Sequence, residues 1–410
     1  MGGEMVKDKK NWKEIRSQVK DFVENEVYPA EKILSKRDDE AKKKMQELMQ
    51  LAKNKSLWAL GHPKDIGGQG MPFMEYVYIN EVIGRSESAM VALGTHSLQD
   101  SIMLREFASK TWRDKYLKPL VNGEIFPSFG MTEPDVASSD PTQLKTSAQL
   151  EGNEWVINGK KWFTSGAAGA AYTTVMCRTE MDVPSHGAFS MIIVPTDNPG
   201  YKIIRETPVL GMTGGHGGHY EVEYDNVRVP EENILGPRGQ GFIIAQRRLG
   251  PGRIFHCMRW LGQAQRAFDL MCRRLHEREA FGTLLAEKQL MQKFVFDSTC
   301  EIQASRQLTL DAAKRIDKGD DARIEIGLIK VVGAQMVHNV IDRAIQVYGA
   351  KGLTDDTPLS AMYRHAREAR IYDGPDEVHI QSVARRILKN YQDNGAGWDF
   401  GERDAYLETN

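Results

Sequence analysis

The sequence lacks the cysteine pattern of a disulfide framework or a zinc site. It has four cysteines, Cys177, Cys257, Cys272 and Cys300, with no CxxC spacing and no regular interval between them. Paired or metal-bound cysteines recur at short fixed spacings. We therefore expect all four to be small core residues of a protein from a reducing compartment, and we expect no metal site.

The sequence also lacks an excess of one charge and a long apolar run. Its 54 Lys and Arg nearly balance its 56 Asp and Glu, for a formal net charge of -2. Such a balance gives no long-range attraction to nucleic acid, so no nucleic-acid partner is expected. No run of about 18 apolar residues is present, which predicts no integral membrane segment.

Targeting signals are missing from the first residues. The opening MGGEMVKDKKNW has mixed charge and no apolar core, and it resembles neither a signal peptide nor a transit peptide. We expect a cytoplasmic protein. A mitochondrial or peroxisomal location stays open if the chain is a processed form.

Two common nucleotide-binding motifs do not occur. The sequence has no GxGxxG after a strand pattern and no GxxxxGK[ST], which excludes the Rossmann fingerprint and the P-loop. The glycine cluster at 214–218 contains His216, and His219 follows three residues later, without a carboxylate at ligand spacing. We expect a turn there.

Hydrophobic periodicity divides the chain into three parts and a tail. Residues 1–125 have helical spacing, with apolar residues three or four apart. Residues 126–238 are rich in β-branched residues and turn signals. Helical spacing returns over 239–392, and 393–410 are expected to be a loosely ordered tail.

Turn signals in the middle part lie too close together for crossover helices. Glu151-Gly152-Asn153 predicts a hairpin loop, and Asn158-Gly159 predicts a second turn. These spacings predict an antiparallel sheet or barrel. The fold class is therefore α+β and multidomain, with an N-terminal helical domain, a central antiparallel β-barrel or sheet domain and a C-terminal four-helix bundle.

Five short segments contain residues suited to binding or catalysis. Each has an ordinary explanation by itself: a turn, a core aromatic, an exposed helix arginine, a helix cap and a solvated acidic turn. In chain order, they are FGMTEP at 129–134 with SSD at 138–140, KKWFTSG at 160–166, REAFG at 278–282 with Gln289, QVYGAKG at 346–352, and IYDGPDE at 371–377.

Taken together and in this order, the segments resemble those of the acyl-CoA dehydrogenase family. YLKPLVNGE at 116–124 and DNVRVP at 225–230 extend the resemblance, which covers nearly the whole chain. The run DGPDEVH at 373–379 is most similar to the branch that some animals carry fused to a kinase-like domain.

The resemblance implies a flavoenzyme of fatty acid metabolism. Its implied cofactor is FAD, and its implied reaction is the α,β-dehydrogenation of a fatty acyl-CoA to the trans-2-enoyl-CoA. Electrons would pass to an electron-transfer flavoprotein, and the chain would form a homo-oligomer, either a dimer or a tetramer. Two alternatives stay open, a flavin oxidase of the same fold and a non-catalytic acyl-chain-binding flavoprotein.

The resemblance also assigns cofactor and substrate residues. Two departures affect them: Ala350 replaces the usual second glycine after Gly349, and either Ser138 or Ser139 can be the substrate serine, of which we favour Ser139 because Asp140 follows. The implied contacts are Phe129, Met131, Thr132, Trp162, Thr164 and Ser165 with the flavin; Arg278, Phe281, Gln289, Gln346 and Gly349 with the FAD of a neighbouring subunit; and Ser139, Arg253 and Gly374 with acyl-CoA.

Asp373 is the catalytic base that the resemblance implies. It stands in Asp373-Gly374-Pro375, where the family usually has Glu-Gly-Thr. Removal of the α proton of a thioester needs a carboxylate, and burial is expected to raise the pKa of that carboxylate. Some members carry the base just before the arginine that matches Arg253, but that position here is Gly252.

Overall fold

Helices, strands and helices follow one another along the chain as expected. The computed structural model describes residues 11–213, 218–394 and 397–403. The predicted turn at 214–217, the opening segment 1–10 and part of the tail lie outside the described residues.

The N-terminal part is a set of helices around one apolar core. In the first of them, Val19 and Phe22 are buried, and the Asn11 side chain caps the helix by accepting a hydrogen bond from the Lys13 backbone N–H at 3.1 Å. Two π-helical segments, Val23–Val27 and Arg113–Leu117, continue helices in this part. The helices are α1 Trp12–Phe22, α2 Tyr28–Leu34, α3 Asp39–Asn54, α4 Phe73–Ile83, α5 Glu87–Ala92, α6 Leu98–Phe107, α7 Lys110–Trp112 and α8 Lys118–Val121.

The central part is a sheet of eight strands. Their order is β6-β7-β3-β2-β4-β5-β8, with β1 paired to β4. The strands are β1 Pro127–Gly130, β2 Ser147–Glu151, β3 Glu154–Ser165, β4 Tyr172–Arg178, β5 Phe189–Pro195, β6 Tyr201–Glu206, β7 His219–Pro230 and β8 Ile234–Leu235.

The sheet is mixed rather than purely antiparallel. Most neighbours are antiparallel, but β1 and β2 each run parallel to β4. Parallel pairing needs a long connection. The β2–β3 hairpin lies between β1 and β4 in the chain and provides the connection that lets these two strands run parallel. Local turn signals do not reveal this parallel pairing.

The second predicted turn is wrong. Asn158-Gly159 lies inside β3, where the register against β7 shifts between Ile157 and Gly159. Gly159 has a φ of +146°, and a Cβ built on it would lie 2.5 Å from the Thr146 Oγ1. Glycine is therefore required at position 159 for the backbone conformation of a β-bulge and for the close contact between β3 and the segment at Thr146. The predicted hairpin loop is present, since β2 pairs with β3 from Ser147 opposite Asn158 to Glu151 opposite Glu154.

The C-terminal part is built on one long helix. Helix α9, Gly241–Glu277, packs against α10, Gln289–Asp317, and α11, Arg323–Tyr348, and it also contacts α4 of the N-terminal part. Helix α13, Asp376–Asn394, packs on α11. The remaining elements are a small hairpin, β9 Glu279–Ala280 and β10 Thr283–Leu284, and α12, Leu359–Glu368.

Helix α9 approaches α4 closely enough to exclude side chains at the crossing. A Cβ built on Gly262 would lie 2.0 Å from the Glu81 carbonyl oxygen, and one on Gly84 would lie 2.2 Å from the Arg259 Cα. Because the obstructing atoms are backbone, they cannot move aside. This contact fixes the position of α9 relative to the N-terminal helices.

Helix α11 is the core helix of the bundle. The stretch Arg323–Leu353 is long and apolar enough to cross a membrane, but 67% of its most apolar window is buried inside the protein. A helix that is apolar on all sides is typical of a core when its neighbours cover it.

The prediction that all four cysteines are core residues holds for only two. Cys177 and Cys257 are buried, whereas Cys272 is half-buried and Cys300 is exposed. Cys300 lies on the outer face of α10, which the apolar stripe of that helix does not include. Within the described part of the predicted tail, α13 extends to Asn394, and Arg403 pairs with the Glu325 carboxylate at 2.5 Å.

We expect Gly262→Val to destabilise the protein by about 1–3 kcal/mol, because the added side chain forces α4 and α9 apart. Urea unfolding followed by circular dichroism measures the loss. Gly169→Ala is the control, because Gly169 is exposed and a Cβ built there meets no atom within 4 Å. Equal stability of the Gly262 variant and the control would contradict the close packing of α4 and α9.

Candidate functional site

The turn that carries Asp373 lies between α12 and α13 and has an unusual backbone. Asp373 has a φ of +56° and Gly374 a φ of +101°. Asp tolerates this left-handed region better than most residues, although it is still unfavourable. A Cβ built on Gly374 would lie 2.7 Å from the His379 Nε2. Glycine is therefore needed at 374 for both conformation and space.

Hydrogen bonds from two helices hold this turn. The Lys330 ammonium on α11 donates to the Ala369 carbonyl at 2.6 Å and to the Gly374 carbonyl at 3.1 Å. The Asp373 carbonyl accepts from the Arg253 Nη2 on α9 at 3.2 Å. Lys330 is fully buried, so its charge is compensated mainly by carbonyl oxygens of the turn.

The Asp373 carboxylate contacts His256. The His256 Nε2 lies 3.3 Å from the Asp373 Oδ2, and 24% of the Asp373 side chain stays exposed. Burial raises the pKa of Asp373, but the hydrogen bond from His256 and the charges of Arg253 and Arg248 lower it well below the ordinary value. The expected rise is wrong, because the sequence does not show how many positive groups surround this carboxylate.

Other carboxylates near the turn have other contacts. Asp376 is buried and pairs with the Arg370 Nε at 2.7 Å, and Glu377 is exposed on α13. Gly252 lies against the Gln99 side chain and offers no carboxylate. Asp373 is thus the acidic side chain of this region that both faces α9 and keeps an accessible oxygen.

A second group of predicted residues lies where β1 meets β3. The Met131 carbonyl accepts from the Lys161 ammonium at 2.9 Å, and the Thr132 carbonyl accepts from the Trp162 backbone N–H at 3.0 Å. These contacts bind the segment after β1 to β3 and bring Met131 and Thr132 beside Trp162. We call this region, together with Phe129 and Thr164, the strand surface.

Lys161 and Glu133 form a buried ion pair beneath that surface. Their side chains are 0% and 5% exposed, and the Lys161 Nζ lies 2.9 Å from the Glu133 Oε1. Burial raises the pKa of the Glu133 carboxyl, but the Lys161 charge and two backbone N–H donors, Lys145 and Thr146, lower it below its ordinary value. The Glu133 carboxyl is therefore ionised at neutral pH, while burial lowers the pKa of Lys161 and the Glu133 charge opposes that shift.

A β-bulge changes the alternation on which the Trp162 and Thr164 prediction relied. The register against β7 shifts between Lys161 and Thr164, and Phe163 has a φ of +49°. The Trp162 Nε1 and the Thr164 Oγ1 are both buried without a hydrogen-bond partner among the described residues. Two such orphaned polar atoms suit a polar ring system placed against this strand.

Ser165 and the two candidate substrate serines differ in hydrogen bonding and exposure. The Ser165 Oγ shares a hydrogen bond with the His219 Nδ1 at 2.9 Å. The Ser138 Oγ accepts from the Glu133 backbone N–H at 3.0 Å, so it serves the turn itself. Ser139 is exposed. This difference favours Ser139 as the serine available to a ligand.

Helix α9 connects the strand surface with the Asp373 turn. The Arg248 guanidinium lies 4.6 Å from the Phe129 ring centre and donates to the Asp100 carboxylate at 3.2 Å. Arg253 and His256 follow on the same helix and face Asp373. Five residues of helix rise only about 7.5 Å. The two predicted groups therefore line one region.

The remaining predicted cofactor residues lie far from that region. They are all exposed, and they cluster where α9 ends, α10 begins and α11 ends. Arg253 and Arg278 are 25 residues apart on or just after α9, which corresponds to about 37 Å of helix. Their contact with the FAD of a neighbouring subunit stays a prediction. The residues are Arg278, Phe281, Gln289, Gln346 and Gly349.

The sequence predictions missed His256, Arg259 and Lys330 near Asp373, and they gave Arg253 a contact with acyl-CoA rather than with the Asp373 carbonyl. Arg253, His256 and Arg259 recur every three residues on α9, a spacing that places them on one side of a helix. Lys330 was a second available signal, since it interrupts the apolar run IGLIKVVGA. A buried lysine in such a run indicates a specific set of acceptors.

Comparisons with known proteins agree along the whole described fold. Three family models match: acyl-CoA dehydrogenase N-terminal domain over 9–124, middle domain over 128–227 and C-terminal domain over 239–388. A probable acyl-CoA dehydrogenase from Mycobacterium tuberculosis is 43% identical over 387 residues, covering 91% of this chain and 94% of that protein.

An animal relative is longer. Acyl-CoA dehydrogenase family member 11 from Rattus norvegicus is 39% identical over 92% of this chain, which spans 50% of that protein's length. Among solved structures, a putative acyl-CoA dehydrogenase from Mycobacterium abscessus is 36% identical with a TM-score of 0.88, covering 93% of this chain and 98% of that one.

We expect Lys161→Met to lower the free energy of unfolding by about 3–5 kcal/mol, because it leaves the Glu133 carboxylate buried without its counter-ion. Urea unfolding at pH 7 measures this loss. The double variant Lys161→Met/Glu133→Gln should regain part of it, since no buried charge is left unpaired.

Lys36→Met is the control for removing a lysine, because the Lys36–Glu40 pair is exposed. We expect no measurable change in unfolding for this variant. A Lys161→Met protein as stable as this control would show that the buried pair does not contribute.

Proposed function

Because the chain belongs to the acyl-CoA dehydrogenase family, we propose that it oxidises a fatty acyl-CoA to the trans-2-enoyl-CoA with FAD as its cofactor. We further propose that the electrons pass to an electron-transfer flavoprotein, as in the family that the chain resembles. The observation that carries the proposal is the Asp373 carboxylate, which is partly exposed and lies against His256 of α9, the helix that also carries Arg248 in contact with Phe129.

The residues of the strand surface fit FAD. The unpartnered Trp162 Nε1 and Thr164 Oγ1 supply a donor and a hydroxyl at a buried face, beside the Met131 and Thr132 segment that Lys161 and Trp162 hold in place. Phe129, Met131, Thr132, Trp162 and Thr164 would hold the ring. When bound, FAD supplies the acceptor for the β hydrogen and its electron pair.

Asp373 performs the proton transfer in this proposal. The carboxylate takes the proton from the α carbon of the thioester, so the C–H bond breaks and an O–H bond forms on the carboxylate. The low pKa of Asp373 keeps it ionised and ready to accept that proton at neutral pH. The chain's own residues thus provide a positioned base rather than one made strongly basic by burial.

Aspartate at the base position also favours a second candidate, an oxidase of the same fold. Nitroalkane oxidase resembles this family and has an aspartate base, so the residue type by itself does not separate the two activities. The electron acceptor separates them. Turnover of the oxidase consumes oxygen and releases one peroxide for each product, whereas turnover of the dehydrogenase needs the flavoprotein acceptor.

The purified protein should be yellow and contain one FAD for each chain. Asp373→Asn should bind FAD and acyl-CoA normally but reduce its flavin about 10²- to 10⁴-fold more slowly, because the amide cannot accept the proton. Anaerobic stopped-flow absorbance with a panel of acyl-CoA chain lengths measures the rate.

Glu377→Gln is the matched control, since Glu377 is an exposed carboxylate four residues away. It should reduce flavin at the wild-type rate. Near-normal reduction by Asp373→Asn would remove Asp373 from the mechanism. Failure of every acyl-CoA to bleach a folded, FAD-containing wild type would overturn the proposed function and favour an acyl-binding flavoprotein.

Arg278→Ala tests the proposed sharing of FAD between subunits. If Arg278 pairs with the cofactor of a neighbouring chain, its removal should weaken FAD binding about 10- to 150-fold, the equivalent of about 1.5–3 kcal/mol for a charge-assisted hydrogen bond. Arg323→Ala is the control, an exposed arginine at the opposite end of the bundle. A stable monomer with full FAD affinity would contradict the proposal.

A further inference from the structure

His256 lies between two charged groups of opposite sign. Its Nε2 faces the Asp373 Oδ2 at 3.3 Å, and its Nδ1 faces the Arg259 Nη2 at 2.9 Å. A guanidinium has only donors, so the Nδ1 must be the acceptor. The ring proton of a neutral His256 is therefore on Nε2, the nitrogen that lies 3.3 Å from the Asp373 Oδ2.

The charge state of His256 agrees with that hydrogen-bond pattern. Burial and the nearby Arg259 charge lower the pKa of His256, while Asp373 opposes the shift. The lowered pKa favours the neutral imidazole. A doubly protonated ring would place an Nδ1–H against the Arg259 guanidinium, whereas the neutral ring accepts there and donates from Nε2.

The chain of contacts continues into the N-terminal helices. The Arg259 Nη1 donates to the Asn80 Oδ1 on α4 at 3.3 Å, and Asn80 is 1% exposed. Gly84 lies against the Arg259 backbone at the same crossing. The position of Arg259, and through it the orientation of the His256 ring, therefore depends on the packing of α4 against α9.

We propose that His256 is a positioning residue for Asp373, whose Nε2–H fixes one carboxylate oxygen and leaves the other free to take the substrate proton. This inference rests on the proposed role of Asp373 as base. The 24% exposure of the Asp373 side chain agrees with it, because a carboxylate tied at one oxygen still has one oxygen to present.

Other charged and titratable groups also face Asp373, and they bear on its pH dependence. Arg248, Arg253 and Cys257 lie on α9, Lys330 on α11, Tyr372 beside it in the turn and His379 on α13. Arg253 and His379 contact the Asp373 carbonyl, whereas His256 contacts its carboxylate. A His256 substitution therefore changes the carboxylate without directly removing these other contacts.

Two substitutions of His256 separate the effect of its hydrogen bond from the effect of its side-chain volume. His256→Gln can still donate from a side-chain amide near the Nε2 position, whereas His256→Leu keeps volume and has no donor. His338→Gln is the control, because His338 packs on Tyr363 in another part of the bundle. Flavin content and urea unfolding establish that each variant is folded.

Anaerobic flavin reduction by acyl-CoA, measured from pH 5 to 9, tests the proposal. We expect His256→Leu to lower the limiting rate about 10- to 100-fold while the acyl-CoA Kd changes less than about twofold, because the lost hydrogen bond acts on the base. The acid limb of the wild-type pH–rate profile should lie below pH 5, because the pKa of Asp373 is held well below its ordinary value. In His256→Leu this limb should move up into the measured range, since loss of a donor raises the pKa of Asp373.

His256→Gln should return the acid limb to its wild-type position and restore most of the limiting rate of flavin reduction. His338→Gln should match wild type in both. A His256→Leu protein with the wild-type limb and a rate within about twofold of wild type would overturn the proposal. So would equal losses in His256→Gln and His256→Leu, because that result indicates a packing role only.

A second measurement does not depend on turnover. Nitrogen-15 NMR of histidine-labelled full-length protein, with His256 assigned by its absence in His256→Gln, reports which ring nitrogen carries the proton. We expect the Nε2–H form, shifted by Asp373→Asn. A predominantly Nδ1–H ring would overturn the inference even if flavin reduction confirms the proposed function. If no acyl-CoA is oxidised, the proposed function fails, and an Nε2–H ring then shows only that the His256–Asp373 contact exists.

Discussion

Hydrogen bonds converging on the Asp373 turn are the constraint on which the site depends. The turn places an aspartate at a positive φ, a conformation that is unfavourable for a residue with a side chain. Lys330 from α11, Arg253 from α9 and His379 from α13 donate to its carbonyl groups and hold it there. Three helices must therefore be packed correctly before the carboxylate points at α9.

The same convergence sets the electrostatics of the Asp373 carboxylate. A carboxylate among buried cations stays ionised, and its basicity is limited by the positive charge around it. Arg248 also stacks on Phe129 and pairs with Asp100, so the charge that lowers the pKa of Asp373 is itself anchored to the strand surface. The strand surface and the Asp373 turn thus share one set of charges, arranged along α9.

The strand surface is stabilised by a different interaction, the buried Lys161–Glu133 ion pair. Lys161 donates from within the sheet to the Met131 carbonyl and to Glu133, which in turn accepts two backbone N–H groups. A buried ion pair of this kind gains little free energy overall but is costly to break, so it specifies one arrangement of the loop after β1. The β-bulge at Phe163 then leaves the Trp162 and Thr164 polar atoms unpartnered at the surface.

The sequence by itself determined the order of helices and strands, the family resemblance and the candidate residues, because apolar periodicity and motif spacing are local properties of the chain. It predicted the β2–β3 hairpin from Gly152, and it misplaced a turn at Asn158-Gly159, since a bulge and a turn share the same residue types. Only the tertiary structure decided the parallel pairing with β4, the exposure of Cys300 and the direction of the Asp373 pKa shift. Each of these depends on groups distant in sequence, such as His256 and Asp373, whose contact exists only after α9 has packed against the turn.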